Sequence, residues 1–463
     1  MSKPSRLMAA AALIVSCAPA SVPHRSIARP AATAVPAASS PPLLAATGSS
    51  KDQALQDKLK SALTYVSEIR QLPAKSAVQG RLIGRAEIER YISAQLDEET
   101  PKDVLEATEA LLYGFGTVDA DFDYRASVIG LMSSQLLGFY DPKQKTFFVG
   151  GDLAGDDADV TLWHELVHAL QDQYYDLSHL TEWQPDKGDG QAAVHALAEG
   201  DATSAMLDAM LKPRGATALD VPDGLMRAQS VLGSAALTAP PVLVRSLLAP
   251  YVDGLAFTNY LRRRGGFAAV DAAWRAPPVS TEQLLHPEKF LAHELPQQVA
   301  LPEPPPQAPE LKERFHDVMG EQTLRLLFEE WLPARTAAEA ASDWGGDRLA
   351  VFGDEARQRW AIGWHLRFDS TAAAERAFVA FSRAAPLTER GHQPRLLAGA
   401  ATPTKLHGDK VCRPRHNQGP LAVVRHGSDL GVTVGPFQRN SAVVAADPAC
   451  GAALAWAIKI AND

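Results

Sequence analysis

Cysteine is scarce in this sequence. Three occur in 463 residues, at positions 17, 412 and 450. A small scaffold stapled by many disulfides is therefore excluded. If Cys17 is modified or removed, Cys412 and Cys450 remain as an even pair. A disulfide between them and two buried thiols are the alternatives. Long apolar runs are also missing. Past the first 17 residues no stretch reaches 18 apolar residues, so no later bilayer span is expected. Positive charge is not in excess: Lys+Arg number 45 against Asp+Glu 54, a formal net charge of −9. With no basic stripe, nucleic acid is not an expected partner. The triplet Arg262, Arg263 and Arg264 reads as the charged end of a helix before Gly265 and Gly266. There is no internal repeat. The composition, 46% hydrophobic and 21% charged, is that of a globular chain long enough for two domains.

The N-terminus carries a pattern of its own. Lys3 and Arg6 precede "LMAAAALIVSC", a charged region and an apolar run too short to stay in a bilayer. Its end, Ile14 to Cys17, resembles the lipobox of bacterial lipoproteins, in which the cysteine carries lipid after cleavage. That resemblance implies export and a lipid anchor on Cys17, in the outer membrane or periplasm. A plain secretory signal cut near "APA" or "AAT" is the other reading, and it too exports the chain. Residues 18–50 are rich in Ala, Pro and Ser and read as a tether.

From residue 51 the apolar spacing is helical, with Leu55, Leu59, Leu63, Val66 and Ile69 on one face. Further helices are expected around 86–97, 101–114 and 121–136. Then "DPKQ" reads as a turn and "KTFFVG" as a short strand. A helix over 161–177 follows a Gly and Asp turn, another runs about 190–212, and more fill 222–293. Clustered prolines over 294–310 mark a linker. Beyond it, "RWAIGWHLRFD" alternates as a half-buried strand with Trp360, Ile362, Trp364, Leu366 and Phe368 on one face. "TAAAERAFVAFSRA" is an amphipathic helix, "GPLAVVRHGSDLGVTVGPF" a hairpin turning at "GSD", and a helix follows Cys450. The expected class is α+β: a mainly helical domain over 51–293, then a smaller α+β domain over 311–463.

The chemistry sits in "HELVH". On a helix, His164 and His168 lie one turn apart on one face, where both rings can reach one cation at about 2.0–2.1 Å. Glu165 falls beside that face, placed to take a proton from a water rather than to bind the metal. The flanking Trp163, Leu166, Val167, Ala169 and Leu170 are uncharged. A buried structural helix whose histidines bond to backbone or carboxylates is the competing reading.

A third ligand must come from elsewhere. A three-histidine site would need Gly at 171 and His at 174, but the chain has Gln171 and Tyr174. Glu199, alone among alanines in "ALAEGDA", ranks first, because a buried carboxylate in such a stretch needs a partner. His195, one turn earlier, and His179, in the intervening loop, are the alternatives. Gly200 would let two helices approach closely. Asp172 and Asp201 are candidates to accept the second N–H of a ligating histidine. His286 and Tyr251 are candidates to stabilise the oxyanion of a tetrahedral intermediate.

A motif of HExxH on one helix with a glutamate on the next resembles the gluzincin type of zinc metallopeptidase. More closely, "HELVHALQDQ", "ALAEGDA", "GFYDP" and "STEQLLHPEK" are similar to a poorly characterised family of exported bacterial proteins with zincin-like cores. The matching stretches spread over roughly 138–290 and say less about 311–463. The resemblance implies one Zn2+ per chain, His164, His168 and Glu199 as ligands, and Glu165 as catalytic base. It also implies a peptide or protein substrate laid along "KTFFVG" as an edge strand. One departure stands out. Where gluzincins carry an Asp one turn after the third ligand, this chain has Thr203, so that buttressing role would pass to Asp201 or a backbone carbonyl. A zinc-holding envelope lipoprotein without catalysis, acting as a binding or assembly factor, is the alternative function.

Overall fold

The computed structural model describes residues 50–463 apart from 136–137, 151–155, 180–183, 185, 223–238, 357, 385–407, 414, 416–417 and 440–449. The signal segment, the lipobox Cys17 and the tether up to residue 49 lie outside the described residues. So does the side chain of His179. Among the described residues no helix is long and apolar enough to cross a membrane.

The chain is α+β, with thirteen helices and two sheets among the described residues. Helix α1 (Ser50–Arg70) leads into strand β1 (Gln79–Ile83), then α2 (Arg85–Glu99), α3 (Lys102–Gly114) and α4 (Tyr124–Gln135). Strands β2 (Gly138–Asp141) and β3 (Thr146–Gly150) form a hairpin around "PKQK". They are followed by α5 (Asp156–Tyr175), α6 (Gly188–Leu211), α7 (Pro241–Arg275), α8 (Thr281–Leu285) and α9 (Pro287–Leu291). Beyond the proline-rich stretch come β4 (Lys312–Asp317), α10 (Gly320–Phe328), α11 (Ala334–Ala341), β5 (Trp344–Gly353), β6 (Arg359–Phe368), α12 (Thr371–Ala384), β7 (Lys410–Arg413), β8 (Leu421–His426), β9 (Asp429–Gln438) and α13 (Cys450–Asn462).

The first sheet has the order β1-β3-β2, with β1 parallel and β2 antiparallel to β3. This corrects an expectation. "KTFFVG" is the middle strand, because residues 79–83, not recognised as a strand from the sequence, pair along its outer side. The edge beside α5 is β2. The core next to this sheet gathers Leu59, Leu63 and Val66 of α1, Phe147 and Val149 of β3, and Leu162, Leu166, Val167 and Leu170 of α5. Helix α6 lies in the middle of it. Its alanines at 196, 198, 202 and 205 are fully buried, so neighbours come close on several sides.

The second sheet is antiparallel throughout, with the order β4-β5-β6-β9-β8-β7. Strand β6 is buried on both faces, not half-buried. Trp360, Ile362, Trp364, Leu366 and Phe368 enter the larger core as expected. The opposite face, with Ala361 and Gly363, is covered by α13 and by the proline-rich segment itself. A Cβ on Gly363 would lie 2.9 Å from Pro302 and 3.0 Å from Trp456. Small residues therefore mark a packed face here, where alternation suggested a solvated one. The larger core also takes Val104, Ala107, Tyr113 and Phe115 from α3 and the residue after it, so one hydrophobic cluster runs across the proline-rich stretch. Cys412 of β7 and Cys450 of α13 have their sulfurs 2.08 Å apart, a disulfide.

Helix α7 breaks at Gly265 and Gly266, the latter at φ +62°, and then resumes. The helix end expected before these glycines is therefore a kink. Arg262 departs from the expected solvated end: it is buried, with its guanidinium donating to Asp208 and Ser204 and lying over the Phe267 ring.

Candidate metal centre

Helix α5 is buried nearly all round, so each polar side chain on it needs a partner. His164, Glu165 and Glu199 have no exposed surface, and His168 has almost none. The one-turn spacing puts the two rings edge to face, with their Nε2 atoms 3.1 Å apart. Helix α6 brings Glu199 against them. Its Oε2 lies 3.1 Å from His164 Nε2 and 3.4 Å from His168 Nε2. These three side chains form a group that could hold a metal ion. A second acidic group, Glu282, Glu294 and Asp369, surrounds the Lys289 ammonium, each within 2.7 Å of Nζ. That cluster already holds a fixed cation at its centre.

The rivals for the third position fall into order. His195 Nε2 lies 3.3 Å from Glu199 Oε1, so it meets the far oxygen of the carboxylate. It does not join the group whose ligand atoms all lie within 4.8 Å of one another. Electrostatics divides the two motif histidines. Burial holds the His164 pKa below its ordinary value. Burial acts the same way on His168, but the charge and hydrogen bond of Glu199 outweigh it and raise its pKa to about 9. Glu199 is buried too, yet the charge on His168 and the bonds from the histidines hold its pKa well below the usual carboxylate range.

Behind His168 the expected buttress is rearranged. His168 Nδ1 donates to Gln171 Oε1 at 2.8 Å. Gln171 Nε2 donates in turn to the Ala198 carbonyl and to Asp201 Oδ2, both at 3.0 Å. Asp201 also accepts from Arg70 Nε at 2.6 Å and from Trp274 Nε1 at 2.9 Å. Arg70 bonds to Asp271 as well. Asp201 therefore supports the histidine through Gln171, and Thr203 Oγ1 makes no hydrogen bond among the described residues. Asp172 does not support His168. It accepts from the Tyr140 hydroxyl, from Lys145 and from the Leu177 amide, since one turn beyond His168 it faces the β2–β3 hairpin. Sequence reasoning used Gln171 only to exclude a class. Its place three residues after His168, on the same helical face, was the signal that could have found it.

Glu165 Oε2 accepts the backbone N–H of Tyr140 at 2.9 Å, which fixes the carboxylate against the edge strand β2. Of the two oxyanion candidates, Tyr251 is at the site: its ring stacks on His164 with centroids 5.8 Å apart. It gets there because α6 and α7 nearly touch. A Cβ on Gly200 would lie 2.0 Å from the Gly254 carbonyl, and one on Gly254 would lie 1.8 Å from the Ala196 oxygen. His286 is engaged elsewhere. Its Nε2 lies 2.9 Å from Glu321 of α10, and no hydrogen bond or ion pair joins it to the trio among the described residues. His286, the C-cap of α8, is thus held against α10.

Among known proteins, a family model described as a domain of unknown function, DUF8575, matches residues 309–440, which covers the second sheet rather than the group of His164, His168 and Glu199. No curated protein and no solved structure matches the chain.

Proposed function

We propose that the protein is an exported, lipid-anchored zinc metallopeptidase of gluzincin type that hydrolyses peptide bonds. One observation carries this reading. His164 Nε2, His168 Nε2 and Glu199 Oε2 are separated by 3.1, 3.1 and 3.4 Å. Atoms that share one tetrahedral zinc at 2.0–2.1 Å stand about 3.3 Å apart. The donor set, two neutral-capable imidazoles and a carboxylate, suits zinc, and the Gln171 carbonyl orients one imidazole. A zinc ion held there would supply a Lewis acid that polarises the scissile carbonyl and makes water more acidic.

The chain's own groups do the rest. Glu165, fixed by the Tyr140 amide, takes the proton of the attacking water and returns it to the leaving amine. Tyr251 offers its hydroxyl to the oxyanion as it develops. Strand β2, not β3, is the edge beside Glu165, so an extended peptide laid along β2 would pass the base with little demand on its sequence.

Glu165→Gln tests this reading. Zinc content should stay near one per chain, while cleavage of casein or a peptide library falls by about 10²–10⁴-fold. A variant that cleaves as well as wild type sinks the mechanism. Wild-type protein that binds zinc but cleaves nothing favours the binding or assembly role. Wild-type protein free of zinc, with folding indifferent to chelator, removes the metal.

A further inference from the structure

Glu199 has two oxygens with different tasks. Oε2 faces both motif histidines, whereas Oε1 faces only His195 Nε2, at 3.3 Å. Among the described residues no other donor reaches Oε1. His195 lies one turn before Glu199 on α6 and retains 13% side-chain exposure, whereas the Glu199 side chain has none. The neighbouring Ala196, Leu197, Ala198 and Ala202 of α6 are fully buried and can donate nothing from their side chains. The last torsion of a glutamate is broad, so burial alone does not choose which oxygen points where. A hydrogen bond to one oxygen does.

We infer that His195 is a positioning residue: it holds Oε1 of Glu199 so that Oε2 alone is presented to His164 and His168. This rests on the reading of the trio as a metal centre. His195 is not a fourth ligand, because it stands apart from the group of mutually close ligand atoms. Its effect passes through the carboxylate. It leaves Oε2 alone toward the two histidines, so that three protein groups face one point, the number a hydrolytic zinc site uses. No other hydrogen bond holds the His195 ring among the described residues, so it can serve the carboxylate without competition.

The test uses the full chain with zinc and Co2+ as probes. His195→Ala should weaken zinc binding by about 10–100-fold in chelator competition, the usual cost of losing a residue that orients a ligand. His195→Gln, whose amide nitrogen has the same reach, should recover affinity to within a few-fold. The visible band of Co2+ should change in His195→Ala and return in His195→Gln. Thermal melting in excess chelator checks that both variants fold. If His195→Ala matches wild type in affinity and in Co2+ band, the assignment is overturned. Equal loss of all metal binding in both folded variants also overturns it, since His195 would then be a ligand. Wild type that binds neither ion removes the metal centre itself, a different result from either.

Discussion

Each polar residue at the centre is placed by a partner that sequence distance hides. Gln171 is adjacent in the chain to nothing it holds except His168, yet it links His168 to Asp201, Arg70 and Trp274. Arg70 and Asp201 are both fully buried, so each needs its partners, and Arg70 has Asp271 as a second one. The same logic separates Tyr251 from His286. Tyr251 lies on His164, whereas His286 Nε2 is taken by Glu321, whose charge and hydrogen bond raise the His286 pKa. Tyr251→Phe is expected to lower kcat by about 10²-fold with KM and zinc content little changed, the loss typical of one oxyanion donor. His286→Ala should leave kcat within a few-fold of wild type. Steady-state kinetics on both variants decides; a large kcat loss confined to His286→Ala would reverse the assignment.

Three helices make the site because they pack unusually close. Helix α5 supplies His164, His168 and Glu165, α6 supplies Glu199, and α7 supplies Tyr251. The approach of α6 to α7 depends on Gly200 and Gly254 facing each other. Gly254→Ala would drive a methyl group to 1.8 Å from the Ala196 carbonyl oxygen, and backbone cannot yield as a side chain can. The expected cost lies at the upper end of about 1–3 kcal/mol or beyond, read as a lower urea midpoint. Gly200→Ala opens the same contact from the other side. The double variant should therefore lose less than the sum of the two. A fully additive double variant, or an unshifted midpoint, would show that the contact is not what separates these helices.

At the scale of the whole molecule, the helical part and the second sheet meet through buried acids. Asp189, at the start of α6, accepts from the Thr281 amide and hydroxyl of α8, and the Gly188 amide donates to Asp317 of β4. Burial pushes the Asp189 pKa up to about 8 against the opposing Thr281 bonds, and burial lifts Glu282 to about 7. A carboxyl raised in the folded state stabilises fully below its unfolded value, 3.8 for Asp189. It loses that contribution as pH rises through the folded value. Melting temperature should therefore decline between about pH 4 and 8 from these groups. Asp189→Asn, which keeps the neutral form, should flatten the decline and melt a few degrees above wild type at pH 9, at roughly 2–4 °C per kcal/mol. Glu282 should leave a residual slope. An unchanged pH profile in Asp189→Asn would place the dependence elsewhere.

By itself the sequence determined what periodicity and local spacing encode. The apolar face of α1, the helices that follow it, the turn at 141–144, the C-terminal hairpin and the pairing of His164 with His168 on one turn all depend on contacts within a few residues. Glu199 was legible as a carboxylate stranded among alanines, although nothing local said what it would meet. Tertiary structure alone decided the rest. Strand β1 carries little apolar alternation and exists because β3 offers it a partner, which turned the expected edge strand into a central one. Residues 361 and 363 of β6 read as a solvated face because they alternate with the apolar one, yet their smallness let α13 and the prolines settle on them. Whether Gln171 or Asp172 would hold His168 depended on which neighbour stood opposite each: α6 behind the glutamine, the β2–β3 hairpin beside the aspartate. Periodicity tells which side of an element is covered. What covers it is set by residues tens or hundreds of positions away.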